Sequence, residues 1–248
     1  MNTTDCYGFI KIGLCIRLLM NVNEKSSAKF VRDYLDVLKD ALTNVSFDVS
    51  IAGSTIFTEI MKKLGELNDD TVIGKKLCDK ITSEMLSYEK IVFAESLTKR
   101  IFLLPQRRYN SDYLLSSPQN LFKKGLFAKL TELAIYDINS ACRCILFGEG
   151  TAAAFHILRA TEDVLKQYYY RHKKEKRLAK PMWGPMTEEL RNKKTNKPPD
   201  VILDSLDLVR KSYRNPTQHP DATYDIESAQ DLFGVCIDLI NKMGSEPA

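Results

Sequence analysis

Apolar positions recur at helical spacing along nearly the whole chain. From residue 28 to 42, Phe30, Val31, Tyr34, Leu35 and Leu38 fall on one face, with Ser26 or Ser27 placed to cap the start. Ile56, Phe57, Ile60, Met61 and Leu64 predict a helix over 55–65 that Gly65 closes. Ile73, Leu77, Ile81, Met85, Tyr88, Val92 and Leu97 predict a long helix over 70–97. The stretch Arg100–Pro105 is β-prone and reads as a short strand or an extended connection. Prolines, asparagines and serines over 106–124 read as an irregular linker, with a domain boundary near it.

The second half is more regular. Leu126, Leu130, Leu133, Ala134, Ile138, Ala141 and Ile145 predict a helix over 125–147, broken by Gly148 and Gly150. Phe155, Leu158, Leu165 and Tyr169 mark a helix over 151–171. Ile202, Leu206, Val209 and Tyr213 mark one over 200–213, with Asp200 placed to cap. Ile226, Ala229, Phe233, Cys236, Ile237, Ile240 and Met243 mark one over 225–243, with Asp225 as N-cap. Four amphipathic helices with short connections predict an antiparallel bundle. The fold class is therefore all-α: an N-terminal helical region over 1–105, a linker over 106–124 and a helical bundle over 125–248. One long connection, 172–199, holds the sole tryptophan, Trp183, and a short helix near 185–192.

Composition changes this picture little. The chain has 248 residues, 44% hydrophobic and 27% charged, enough to bury a real core. Its best N-terminal apolar run, Ile12 to Met20, is interrupted by Arg17 and lacks a following cleavage site, so neither a signal peptide nor a membrane span is expected. These features predict a cytoplasmic protein with no membrane partner. Six cysteines sit mostly among apolar residues, where a reduced thiol behaves as a small hydrophobe, and Cys142-x-Cys144 is not a zinc or redox spacing. With three histidines in all, a metal centre is not expected, nor is any cofactor.

Charge is uneven. Between Arg171 and Pro199 lie ten basic and three acidic residues, a local +7 within a chain of net +4. This segment reads either as a phosphate-binding stretch, with Lys173, Lys174, Lys176, Arg177, Lys193 and Lys194 available to phosphates, or as a solvated loop.

Candidate chemistry lies at the break between the last two helices, Tyr213-Arg214-Asn215-Pro216-Thr217-Gln218-His219-Pro220. Proline disfavours helical geometry in the residue before it, so Asn215 and His219 are expected outside the helix, with Arg214 at its end and His219 stiffened between two prolines. Alone, Arg214 also reads as a cation favoured at a helix C-terminus. Glu162 falls on the apolar stripe of its helix, four after Leu158 and three before Leu165. A carboxylate there needs a partner: Arg159 locally, or Arg214 or His219 across the bundle. His156 reads as a structural or dimer-face histidine, and His172 as solvated. Tyr168, Tyr169 and Tyr170 read as packing residues rather than an RNA platform.

Arg214-Asn215-x-x-x-His219 resembles the R-x4–6-H signature of the HEPN (higher eukaryotes and prokaryotes nucleotide-binding) ribonucleases, including the Asn after the Arg. Asp137-Ile138-Asn139-Ser140-Ala141-Cys142, Thr151 to Glu162, Trp183-Gly184 and Leu206-x-x-Val209-Arg210 are similar to helices of a bacterial HEPN-like subgroup. The resemblance covers roughly residues 125–243. It implies a homodimeric, metal-independent endoribonuclease in which the 2′-hydroxyl of RNA attacks phosphorus. Arg214, His219 and Asn215 would be catalytic, Glu162, Arg159 and Tyr213 supporting, and Tyr213 placed to stack on a base. Such enzymes often serve as toxins or antiviral defence effectors, which implies an antitoxin or regulatory partner. Other members are non-catalytic modules for dimerisation or for binding nucleotides or partner proteins, and a helical scaffold unrelated to RNA is the third reading. Residues 1–105 resemble no family.

Overall fold

The computed structural model describes residues 6–219 and 221–246. These residues are helical with no strand among them, so the all-α class holds. The chain divides into two compact units, one ending at Phe102 and one beginning at Leu103.

The first unit contains α1 (Tyr7–Met20), α2 (Ala28–Asn44), α3 (Asp48–Gly53), α4 (Thr58–Gly65) and α5 (Lys75–Ser96), with a 3-10 turn over Ser54–Phe57. Ser27 caps α2 by accepting the Phe30 N–H at 3.2 Å. α1 packs on α2 and α5 and buries Ile12, Cys15, Ile16 and Leu19, a helix that the apolar run from Ile12 hid because Arg17 lies on its outer side. Gly65 is the last residue of α4 rather than a left-handed cap, because the chain continues through Glu66 in right-handed geometry. The long helix starts at Lys75, later than its apolar spacing suggested, since Ser27 and Val72 form an isolated bridge that keeps that segment extended. One polar group is built into this core. Glu95, buried on α5, accepts from the Val49 and Ser50 N–H groups and the Ser50 hydroxyl, satisfying the otherwise orphaned donors that open α3. From Arg100 to Gln106 the backbone has no regular structure, and Leu103 is 89% exposed, so this segment is an irregular connection and not a strand.

The second unit contains α6 (Ser111–Leu115), α7 (Glu132–Phe147), α8 (Gly150–His172), α9 (Trp183–Arg191), α10 (Asp200–Val209), α11 (Asn215–Thr217) and α12 (Ile226–Ser245). α8 is its axis, packed against α7, α9 and α12, while α10 packs on α9 and α12. Thr131 caps α7 by accepting the Ala134 N–H, so Leu126 and Leu130 precede that helix instead of belonging to it. Gly148 ends α7 at φ +88°, the left-handed geometry that a side chain would strain. Asp225 caps α12 through the Ser228 N–H. Asp200 does not cap: it is the first residue of α10 and pairs with Lys197 at 2.7 Å.

The stretch over 106–124 is part of this unit rather than a linker. Leu114 and Phe122 are buried in its core, Leu114 on the five-residue α6 and Phe122 just after a 3-10 turn over Pro118–Leu121. Tyr109 stacks edge-on against Phe233 at 5.2 Å, and the Arg108 N–H donates to Gln230 at 2.8 Å. Irregular composition here marks irregular backbone that is nonetheless anchored.

Candidate functional site

The site is assembled where α10 runs on beyond its expected end. A helix broken at Arg214 was expected from Pro216. Instead α10 continues through a π-helical turn, Arg210–Arg214, directly into α11, and Asn215 is helical at φ −66°, ψ −48°. The Asn215 N–H reaches back five residues to the Arg210 carbonyl. The π turn shifts the bonding register to i→i−5 just before Pro216, which has no N–H to donate. Such bulges concentrate at functional sites.

Arg214 ends the π turn with its side chain 22% exposed. Its Nε and Nη2 donate to the Glu162 carboxylate at 3.3–3.4 Å, and its Nη1 donates to Gln218 Oε1. Glu162 thus reaches across from α8 to Arg214 and not to Arg159. The contacts are long for charge-assisted bonds, which run about 2.7–2.9 Å, so the guanidinium fork is held without being saturated.

Arg159 has another partner, one the sequence reading missed. Asp137 on α7 is fully buried, and its carboxylate accepts from Arg159 Nε at 2.6 Å, from Arg159 Nη2, and from His156 Nδ1 at 2.8 Å. Burying a carboxylate is tolerated only with such compensation. The signal was present: Asp137 lies three residues after Ala134 and four before Ala141, on the buried stripe of its helix, just as Glu162 does on α8.

These groups face one groove of about 250 Å³. Its polar lining is His156, Arg159, Glu162, Arg214, Thr217 and Gln218, with an apolar wall of Phe155 and Leu158. A groove of about 390 Å³ in the first unit, lined among others by Leu35, Phe57, Met61 and Tyr88, brings no imidazole or guanidinium to its walls. The corner after α11 is tied to α8. Tyr224 N–H donates to Thr151 Oγ1 at 2.9 Å, the Tyr224 and Thr217 hydroxyls bond at 2.7 Å, and Gly150 lies so close to the Tyr224 and Asp225 carbonyls that a Cβ would meet them at 2.4 and 2.7 Å.

His219 is placed differently from the expectation. It is exposed in a turn after Gln218, its backbone N–H bonded to the Pro216 carbonyl at 2.9 Å, and it does not line the groove. No hydrogen bond or ion pair among the described residues joins it to Arg214. Pro220, the second proline of the expected stiff corner, lies outside the described residues. Asn215 is exposed, and Tyr213 is half-buried against the core, so only part of its ring is free to stack on a base.

The basic segment is partly engaged with its own fold. Lys173 pairs with Glu189 at 3.0 Å, Lys193 donates to the His172 carbonyl, and Arg177 caps the Lys173 carbonyl while lying 4.6 Å over the Tyr170 ring. Lys174, Lys176 and Lys194 are exposed. His172 is buried, not solvated, because it ends α8 against Tyr168 at 4.5 Å and bonds Asn196; burial pulls its pKa below the ordinary histidine value. Tyr168 and Tyr169 are core residues.

Among the described residues, no cluster of histidine, cysteine or carboxylate side chains could hold a metal ion, and no helix is long and apolar enough to cross a membrane. A scan against family models finds no match, and searches of the curated proteins and of the solved structures return none.

Proposed function

We propose that the second unit is an HEPN-type helical bundle acting as a metal-independent endoribonuclease, in which Arg214 binds the scissile phosphate. The observation that carries this reading is the Arg214 fork, held over the groove by Glu162 at 3.3–3.4 Å with its donors incompletely used. Arginine stays charged at any working pH and offers planar donors to phosphate oxygens and to the crowded transition state. Histidine exchanges protons near neutrality, which suits His219 to protonating or deprotonating ribose oxygens. Two chains would pair about a two-fold axis so that both Arg214–His219 motifs serve one cleft. Exposed Lys174, Lys176 and Lys194 would steer RNA toward it. The biological setting would be a cytoplasmic toxin or defence effector restrained by the first unit or by an antitoxin, a proposal that rests on analogy of fold.

A second reading has one observation in its favour: His219 stands outside the groove. On that reading the bundle is a non-catalytic module that dimerises or binds nucleotides or partner proteins. Incubation of the purified chain with end-labelled RNA in EDTA separates the two. Cleavage by the wild type and not by Arg214→Ala or His219→Ala supports the ribonuclease. Absence of cleavage by the wild type, or equal cleavage by all three, refutes it.

A further inference from the structure

We infer that His156, held by the buried Asp137, is the general base of this centre and abstracts the proton of the RNA 2′-hydroxyl. The inference rests on the ribonuclease reading and adds a catalytic residue that the R-x4-H motif does not contain. Its basis is geometric. His156 is the imidazole that lines the groove shared by Arg159 and Arg214. Its side chain is 29% exposed, open enough to meet a substrate. Its Nδ1 faces Asp137 at 2.8 Å, and because that carboxylate also takes two donors from Arg159 it is an acceptor, so Nδ1 carries the hydrogen. In the neutral imidazole Nε2 is then the nitrogen with the lone pair. A carboxylate that sets the tautomer and angle of an imidazole is the arrangement by which a histidine is made a base. His219, exposed and unclamped, has no such partner among the described residues.

The step balances as follows. Nε2 of His156 takes the 2′-hydroxyl proton while the 2′-oxygen bonds to phosphorus. The P–O5′ bond breaks, and the departing 5′-oxygen takes a proton from His219, which the pairing of two chains brings to the cleft, leaving a 2′,3′-cyclic phosphate. Arg214 and Arg159 offset the charge gathering on the non-bridging oxygens. Base and acid are then different histidines: His156 belongs to the groove itself, and the acid is the imidazole that pairing supplies.

The charged and titratable groups around His156 are Asp137 and Tyr136 from α7, Arg159 and Glu162 from α8, and Arg214 from the π turn. The test is a pH–rate profile of RNA cleavage in EDTA for the wild type and for His156→Asn, whose amide nitrogen stands where Nδ1 was and keeps the Asp137 bond. Loss of a general base costs about 10²- to 10⁴-fold. The expected result is a fall in kcat of that size, little change in KM, and disappearance of the acidic limb of the profile. Substrate with sulfur in place of the 5′-oxygen needs no acid: it should restore the rate of His219→Ala and leave His156→Asn slow. Should His156→Asn unfold, His156→Ala supplied with free imidazole reads the same group, and recovery of the rate is expected. An active wild type beside a His156→Asn within threefold of it and with the same pH profile overturns this inference alone. So does recovery of His156→Asn on the sulfur substrate, or folded His156→Ala that imidazole does not rescue. A wild type without activity overturns it together with the reading beneath it.

Discussion

Asp137→Asn isolates the group on which the candidate groove is built. The substitution keeps the volume and changes one oxygen into an NH₂ donor. In the wild type both oxygens accept, Oδ2 from Arg159 Nε and Oδ1 from Arg159 Nη2 and His156 Nδ1, at a site with no solvent exposure. Whichever way the new amide turns, its NH₂ meets an N–H and at least one bond is lost. Arg159 is 55% exposed and can swing its guanidinium into water, so the lost ion pair itself counts for little. What remains is a buried donor without an acceptor, a cost of about 1–3 kcal/mol, together with the weakening of the surviving bonds once the charge is gone. A loss of about 2–3 kcal/mol follows. Trp183, the sole tryptophan, is buried in the same unit with its indole N–H on the Leu206 carbonyl at 3.1 Å, so its fluorescence during urea unfolding reports this unit and not the first. With a urea slope of about 1–3 kcal/mol per molar, the midpoint should fall by about 0.7–3 M. A midpoint within about 0.3 M of the wild type would mean that the carboxylate is not the buried acceptor described, and the clamp on His156 would fail with it.

Other consequences are independent of that clamp. Gly150→Ala places a Cβ 2.4 Å from the Tyr224 carbonyl, a backbone atom that cannot turn aside, so the Trp183 urea midpoint should drop by an amount corresponding to at least about 1–3 kcal/mol; an unchanged midpoint would refute the close approach. Cys6 is exposed, whereas burial pushes the Cys142 and Cys236 thiols up to about 12. A disulfide reagent should therefore label Cys6 in the native chain, and label Cys142 and Cys236 only after unfolding, as peptide mapping would report. Burial raises the pKa of Glu95, but its bonds from Ser50 and Val49 outweigh that and hold it below the ordinary value. Its stabilisation is present above the ordinary glutamate range near pH ~4.3 and is lost as pH falls through that range toward the lower folded value. Circular dichroism of Glu95→Gln should show a first unit less stable at neutral pH and less sensitive to acid; equal acid sensitivity in both forms would refute the assignment.

Much of the helical framework was legible in residue spacing, because burial on one face imposes a period that polar substitutions elsewhere do not blur. Ser27 and Asp225 were readable as caps since a short side-chain acceptor before an apolar stripe has few other uses. Glu162 declared its need for a partner by lying on that stripe. Asp137 gave the same signal and was passed over, as the charge was read with its motif rather than with its face. Pro216 misled because the bias of the residue before a proline against helical geometry is a preference, and the π turn that carries the chain into Asn215 has no signature in residue spacing. The anchored stretch 106–124 was opaque for a different reason: Leu114 sits on a five-residue helix and Phe122 follows a short 3-10 turn, too little chain for a period to show. His172 sits among cations in sequence and is buried in space, a fact only the end of α8 decides.

The central claim is that the Arg214 groove acts on a phosphodiester through the neighbouring 2′-hydroxyl. The most direct measurement compares two oligonucleotides of one sequence in EDTA, one all-ribose and one with a single 2′-deoxyribose at the cut position mapped with the first. The claim predicts that the ribose strand yields a 2′,3′-cyclic phosphate end, and that the deoxy strand is not cut at that position. Equal cutting of both strands there, or a ribose strand left intact by the folded wild-type chain, would contradict it.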